Sequence, residues 1–204
     1  MVKKISEGAE AVLYSSELLG RACVIKFRCR KSYRIREIDE SIREKRTKTE
    51  ARILATANSI GVNVPKLLMV GRFAIYMTML DGELLSDVLR KNANDKIENI
   101  LEDAGKALAK LHNANIVHGD YTPANIMICK GKAYIIDFGL SMVESAAEEK
   151  ALDLLLMKRS LKRKQYYIFE NAYSKLSDNF KTVKERLESI ERRGRYQTRT
   201  LIAN

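Results

Sequence analysis

Apolar residues recur along this chain with two periods. From about 35 to 59, Ile38, Ile42, Thr49, Ile53, Ala57 and Ile60 fall three, four or seven apart, which predicts an amphipathic helix. Gly61 and Pro65 end it. Residues 9–14 and 22–28 ("ACVIKFR") read as short strands around a turn at Gly20. "KLLMVG" and "RFAIYMTML" read as a strand pair around Gly71-Arg72, and "DGELLSDVLRKN" as a turn and a short helix. The next helix is the clearest. Ile97, Ile100, Leu101, Ala104, Leu108 and Leu111 make one apolar stripe, with Asn94 or Asp95 as its N-cap. "IMIC" and "AYII" then predict two short strands around Lys130-Gly131-Lys132, and 146–193 reads as helix. Short strands and one long helix therefore precede a mostly helical second half, an α+β arrangement.

Composition narrows the class. At 204 residues the chain makes a single domain or two small lobes, and 46% hydrophobic content supports a core. No apolar run nears the length of a membrane span, and the start, "MVKKISEGAEAV", turns charged at once. Cys23, Cys29 and Cys129 are odd in number and form no CxxC pair, which fits reduced thiols and a cytoplasmic location. The net charge of +11 is uneven. Residues 21–52 hold twelve Lys/Arg against five Asp/Glu, and residues 158–204 hold thirteen against five. Basic ends suggest a polyanion such as RNA, or simply a well-solvated surface; there is no stacking-aromatic RNA motif.

The chemistry concentrates in "IVHGDYTPANIMICKGKAYIIDFGLS", residues 116–141. Phosphoryl transfer needs a cation on the phosphates, metal ligands, and a carboxylate near the attacking oxygen. Asp120 follows the apolar pair Ile116-Val117 and precedes a turn at Pro123, so it is the candidate carboxylate. Asn125 and Asp137, the latter at a strand end before Phe138-Gly139, are oxygen donors of the type Mg²⁺ takes. Singly, each reads as an ordinary loop residue. The joint pattern, Asp, Asn five later and Asp-Phe-Gly after two strands, is what distinguishes them. Lys26 in "CVIKFR" is the candidate cation, with Glu50 on the long helix as its partner. "ISEGAEAVLY" has Gly8 alone where a phosphate-covering loop would carry three glycines, and on its own it reads as a hairpin.

These segments resemble the small atypical kinase family of the KEOPS complex, the family that includes PRPK. The resemblance runs over nearly the whole chain and rests on "EGAEAVLY", "VIKFRCRKSYR", "TKTEARIL", "VHGDYTPANIMI", "IIDFGLS", "EEKALDLLLMKRS" and "RRGRYQTR". It implies a reduced protein-kinase-like fold, with an N-lobe at 1–80 and a minimal C-lobe at 81–204. It implies an ATPase with Ser/Thr autophosphorylation that supports threonylcarbamoyl-adenosine formation in tRNA, using ATP and Mg²⁺. Lys26, Glu50 and Asp120 would then be catalytic, and Asn125 and Asp137 would hold metal. Ser6, Glu7, Gly8, Ala9, Glu10, Ala11, Lys26, Thr78 and Met79 would bind ATP, the last two pairing with adenine through their backbone. The implied partners are the tRNA-modifying metalloenzyme subunit and other small subunits of that complex, and tRNA through the basic tail "ERRGRYQTRTLIAN".

The departures from ordinary protein kinases point the same way. Gly119 stands where many carry Arg, and Thr122 where many carry Lys. Only residues 140–145 separate Gly139 from the following helix, without Ala-Pro-Glu, so no platform for a peptide substrate is visible. RIO-type kinases share His-Gly-Asp but usually lack Phe-Gly after the metal Asp and carry STGKE in the phosphate loop. Small-molecule phosphotransferases of the aminoglycoside and choline type usually need a larger helical region than 146–204. His112 and His118 read as buried, hydrogen-bonded residues rather than a metal pair. The resemblance gives Asp153 a structural contact with the catalytic loop. The rival reading is an accessory protein that docks a partner and tRNA and uses nucleotide as a switch.

Overall fold

The computed structural model describes residues 2–91 and 97–202, the side chains only as far as Arg193. Five strands, β1 (Lys3–Glu7), β2 (Val12–Leu18), β3 (Arg21–Phe27), β4 (Leu67–Val70) and β5 (Ala74–Thr78), form one antiparallel sheet in the order β1-β2-β3-β5-β4. The first strand was not legible in the sequence. All five of its residues are exposed, so it carries no apolar alternation. The second begins at Val12 rather than residue 9 and runs on to Leu18, with Leu19 and Gly20 both at positive φ making the turn.

Helix α1 (Arg36–Ser59) crosses behind this sheet, and its N-terminal half corrects the expected apolar stripe. Ile38 is 53% exposed. The buried face there is Asp39, Arg43, Thr47 and Glu50, spaced four, four and three. Apolar burial begins only with Ala51, Ile53, Leu54 and Ala57. The same inversion occurs in β3, where Phe27 is exposed and Lys26 is buried, as is Arg28 just beyond its end. Charged residues take the inner positions because they find one another. Asp39 holds Arg43, and Glu50 holds both Lys26 and Arg28.

The second half begins with β6 (Glu83–Leu84) and α2 (Leu85–Arg90). Helix α3 (Ile97–Asn113) buries the stripe read from sequence from Ile100 onward, with Ile97 half-buried; its N-cap candidates, Asn94 and Asp95, lie outside the described residues. Strands β7 (Ile116–Val117), β8 (Ile126–Cys129) and β9 (Lys132–Ile135) follow, then β10 (Met142–Val143), α4 (Ala147–Ser160), α5 (Arg163–Leu176) and α6 (Phe180–Ile202). β10 pairs with β7, so the stretch after Gly139 is not a bare loop. The main core joins Leu101, Leu108, Leu154, Phe169 and Tyr173, all fully buried. α3 and α5 pack closely because Gly105 has no side chain: a Cβ there would lie 2.3 Å from the carbonyl oxygen of Phe169. Among the described residues, no helix is long and apolar enough to cross a membrane.

Candidate active site

A cleft of about 270 Å³ opens between the sheet and residues 118–125, the candidate catalytic loop. Its walls include Gly8, Glu10, Lys26, Arg28, Asp120 and Asp137. On the sheet side, Lys26 Nζ lies 2.6 Å from Glu50 Oε1 and 2.6 Å from Asp137 Oδ1. Glu50 is chosen over Glu44 because the helix turns it inward; Glu44 instead pairs with Lys48 and Arg72 at the surface. Arg28 Nη2 takes the other Glu50 oxygen at 2.6 Å. One buried carboxylate thus positions two cations. Arg28 was missed in the sequence because it lies at the end of a strand and lacks a motif; its spacing of two from Lys26 puts both on one face.

Across the cleft, the catalytic loop is held by buried polar groups. Asp153 on α4 accepts from the backbone N–H of His118 at 2.7 Å and of Gly119 at 2.9 Å. His112 stands 3.2 Å from the same carboxylate and 2.8 Å from the Tyr173 hydroxyl. His118 Nε2 lies 3.2 Å from the Ile136 carbonyl oxygen, and its Nδ1 accepts from the Asp120 N–H at 3.3 Å, which makes it the neutral Nε2–H tautomer. Burial holds the pKa values of both histidines below 6.5, against the pull of Asp153. Gly119 needs φ of +81° here, and a Cβ would lie 2.6 Å from the Leu140 carbonyl oxygen, so no arginine fits.

Asp120 and Asn125 form a closed pair. Asn125 Nδ2 donates to the Asp120 carbonyl at 2.9 Å and to its Oδ2 at 2.8 Å. With its amide nitrogen committed, Asn125 offers Oδ1 to a metal. The carbonyl of Asn125 accepts from the Ile136 N–H at 3.0 Å, tying it to the strand end that carries Asp137. Asp137 itself sits at φ +61°, a conformation few side chains adopt but Asp tolerates. Burial raises its pKa, but the Lys26 ammonium and the Gly139 N–H outweigh that and hold it below the usual carboxylate range. A carboxylate and an amide oxygen carried on these adjoining segments are a donor set that fits a hard divalent cation.

The remaining candidates divide. Ser6, Gly8, Ala9, Glu10 and Ala11 line the cleft; Glu7 pairs with Lys4 instead. Glu10 pairs with Arg46 and lies 3.6 Å from Arg28, and Lys31 donates to the Ala9 carbonyl. The N–H of Thr78 bonds the Lys66 carbonyl and that of Met79 the Ala22 carbonyl. Both N–H groups are thus already committed, and an adenine at this edge would be left their carbonyl oxygens.

The family model described as the RIO domain matches residues 21–161. The KEOPS complex subunit Bud32 of Pyrococcus abyssi is 36% identical to the chain, over 98% of this chain and 99% of the relative. This chain belongs to the Bud32 family of RIO-domain proteins. A second relative, a probable bifunctional tRNA threonylcarbamoyladenosine biosynthesis protein of Methanothermobacter thermautotrophicus, is 35% identical; the match covers 94% of this chain and 36% of that protein. Among solved structures, the Rio2 kinase of Chaetomium thermophilum in an ADP/Mg²⁺-phosphoaspartate complex superposes with a TM-score of 0.66 at 17% identity, over 96% of this chain and 72% of that one. The fold is accordingly that of a protein kinase. The RIO-domain match also corrects one contrast. Asp-Phe-Gly and the absence of STGKE do not set this chain apart from the RIO domain.

Proposed function

We propose that this protein is an ATP- and Mg²⁺-dependent phosphotransferase and ATPase that autophosphorylates on Ser/Thr and acts within a KEOPS complex in support of tRNA threonylcarbamoyl-adenosine formation. The observation that carries this reading is Lys26, fixed between Glu50 and Asp137 on one wall of the cleft with Asp120 on the other. Lys26 binds the α- and β-phosphates, and Glu50 keeps its ammonium aimed there. Asn125 Oδ1 and the Asp137 carboxylate would hold Mg²⁺, which would supply positive charge to offset that of the polyphosphate. Asp120 accepts the proton of an attacking water or Ser/Thr hydroxyl. That oxygen bonds to the γ-phosphorus as the bridging P–O bond breaks, and ADP leaves with the electron pair.

The chain divides in this reading into an N-lobe at 1–80 and a C-lobe at 81–204. Its location is the cytoplasm. Its partners are a tRNA-modifying metalloenzyme subunit of that complex, the other small subunits, and tRNA, which the basic tail contacts. The chain is incubated with γ-labelled ATP alone, then with the partner enzyme and tRNA, following label into phosphate, protein and RNA. Release of labelled phosphate or label on the chain is expected; no transfer under either condition refutes the reading. Truncation after Ile190 is expected to weaken tRNA binding at matched salt, and unchanged affinity sinks the tail's role.

A further inference from the structure

Arg28 stands out among the groups the mechanism above does not use. It is 3% exposed, yet its guanidinium lines the cleft with Lys26, Asp120 and Asp137. Nη2 is anchored on Glu50 at 2.6 Å, and Nη1 faces Glu10 at a loose 3.6 Å. Its Nη2 also lies 3.8 Å from where a Cβ on Gly139 would stand, which puts it at the Asp137 end of the cleft. Thr78 and Met79, the residues carried as adenine contacts, are not among the lining residues of that end.

Glu10 adds a second observation. It places a carboxylate in the wall of a cleft that would receive polyphosphate, where it would repel the ligand unless neutralised. Two arginines neutralise it: Arg46 in direct contact and Arg28 at the longer distance. Only Arg28 lines the cleft, so only Arg28 can exchange Glu10 for a phosphate oxygen while Arg46 keeps the loop. The loop has one glycine, and position 122 holds Thr rather than a cation. A positive charge is therefore wanted on the terminal phosphate, and no other described lining residue beyond Lys26 supplies one.

We propose that Arg28 is a specificity-determining phosphate contact: it binds the terminal phosphate of a nucleoside triphosphate, competes for it with Glu10, and so makes the cleft prefer triphosphate over diphosphate. This rests on the nucleotide-binding reading above. A purely structural Arg28 would support Glu50 and Lys26, and its loss would weaken every nucleotide equally.

The test is calorimetric titration of the full chain, in Mg²⁺, with a non-hydrolysable ATP analogue and with ADP. Arg28→Gln is expected to weaken the triphosphate analogue at least tenfold and ADP less than threefold. Glu10→Gln, at a half-exposed position that leaves Arg28 in place, is expected to tighten the analogue two- to fivefold and ADP by less. Equal losses for both nucleotides in Arg28→Gln, or no change in the ratio with Glu10→Gln, overturn the proposal. If Arg28→Gln does not fold, as judged by thermal melting, Glu10→Gln alone decides. Failure of the unaltered chain to bind either nucleotide would instead refute the function reading itself.

Discussion

The two halves of this molecule fill their interiors with different chemistry. The helical half closes over Leu101, Leu108, Leu154, Phe169 and Tyr173, an apolar core with few charges. The sheet half buries Lys26, Arg28, Asp39, Arg43 and Glu50 behind its strands. Removing two charges from water costs about as much as their attraction returns, so a buried ion pair adds little net stability. The apolar half therefore supplies the stability. The charged half spends little on stability and fixes where two cations and a carboxylate stand at the cleft. The catalytic loop joins the two, because Asp153 reaches it from a helix of the apolar core.

The sharpest way to break this contrast is to remove one member of each interior. Glu50→Ala leaves Lys26 and Arg28 buried without their shared partner and is expected to cost about 3–5 kcal/mol in urea unfolding. Replacing the three buried members together, as Lys26→Met with Arg28→Leu and Glu50→Leu, leaves only the half-exposed Asp137 and Glu10 without these partners and is expected to keep stability within about 1 kcal/mol of the original or above it. The nucleotide turnover proposed above is expected to be lost all the same. A triple variant as unstable as Glu50→Ala would show that the charges do hold the sheet half together.

In the helical half no such rescue exists. Leu108→Ala is expected to cost about 2–5 kcal/mol through the cavity it leaves. Gly119→Ala tests the joint between the halves. Positive φ and the Leu140 carbonyl oppose any side chain there, and a loss of about 1–3 kcal/mol in thermal melting is expected, with turnover falling alongside.

A smaller effect separates the halves by pH. His112 is neutral in the fold, its pKa held below 6.5 by burial, while in the unfolded chain it returns to about 6.5. The unfolded state then binds more protons as pH falls below 6.5, so stability is lost on acidification until the folded pKa is reached. The expected slope is up to about 1.4 kcal/mol per pH unit from this group. Urea midpoints measured from pH 7.5 to 5.0 should show it, and His112→Gln should flatten it. An unchanged slope in that variant would place the acid sensitivity elsewhere.

What could be read from the sequence follows the same division. The stripe Ile97, Ile100, Leu101, Ala104, Leu108 and Leu111 announced its helix because apolar burial imposes a period on the residues themselves. Asp120, Asn125 and Asp137 were legible because local turns bring them together at fixed spacing. The buried face of α1 was not, since Asp39, Arg43 and Glu50 look like solvent residues until their partners are known. The Asp39–Arg43 pair, four apart, reads as an ordinary surface pair, and the partners of Glu50, Lys26 and Arg28, lie elsewhere in the chain where no period encodes them. Arg28 and the Glu10–Arg46 contact were lost for that reason, and β1 because it buries nothing.

The central claim is that Asp120 performs phosphoryl transfer in a cleft built to hold ATP. Its most direct test is release of labelled phosphate from γ-labelled ATP by the unaltered chain and by Asp120→Ala, with nucleotide affinity measured on both. The account predicts that turnover falls by about 10²–10⁴-fold while ATP affinity changes little, since Asp120 acts on the attacking oxygen rather than on the bound nucleotide. Equal turnover by the two proteins would contradict it.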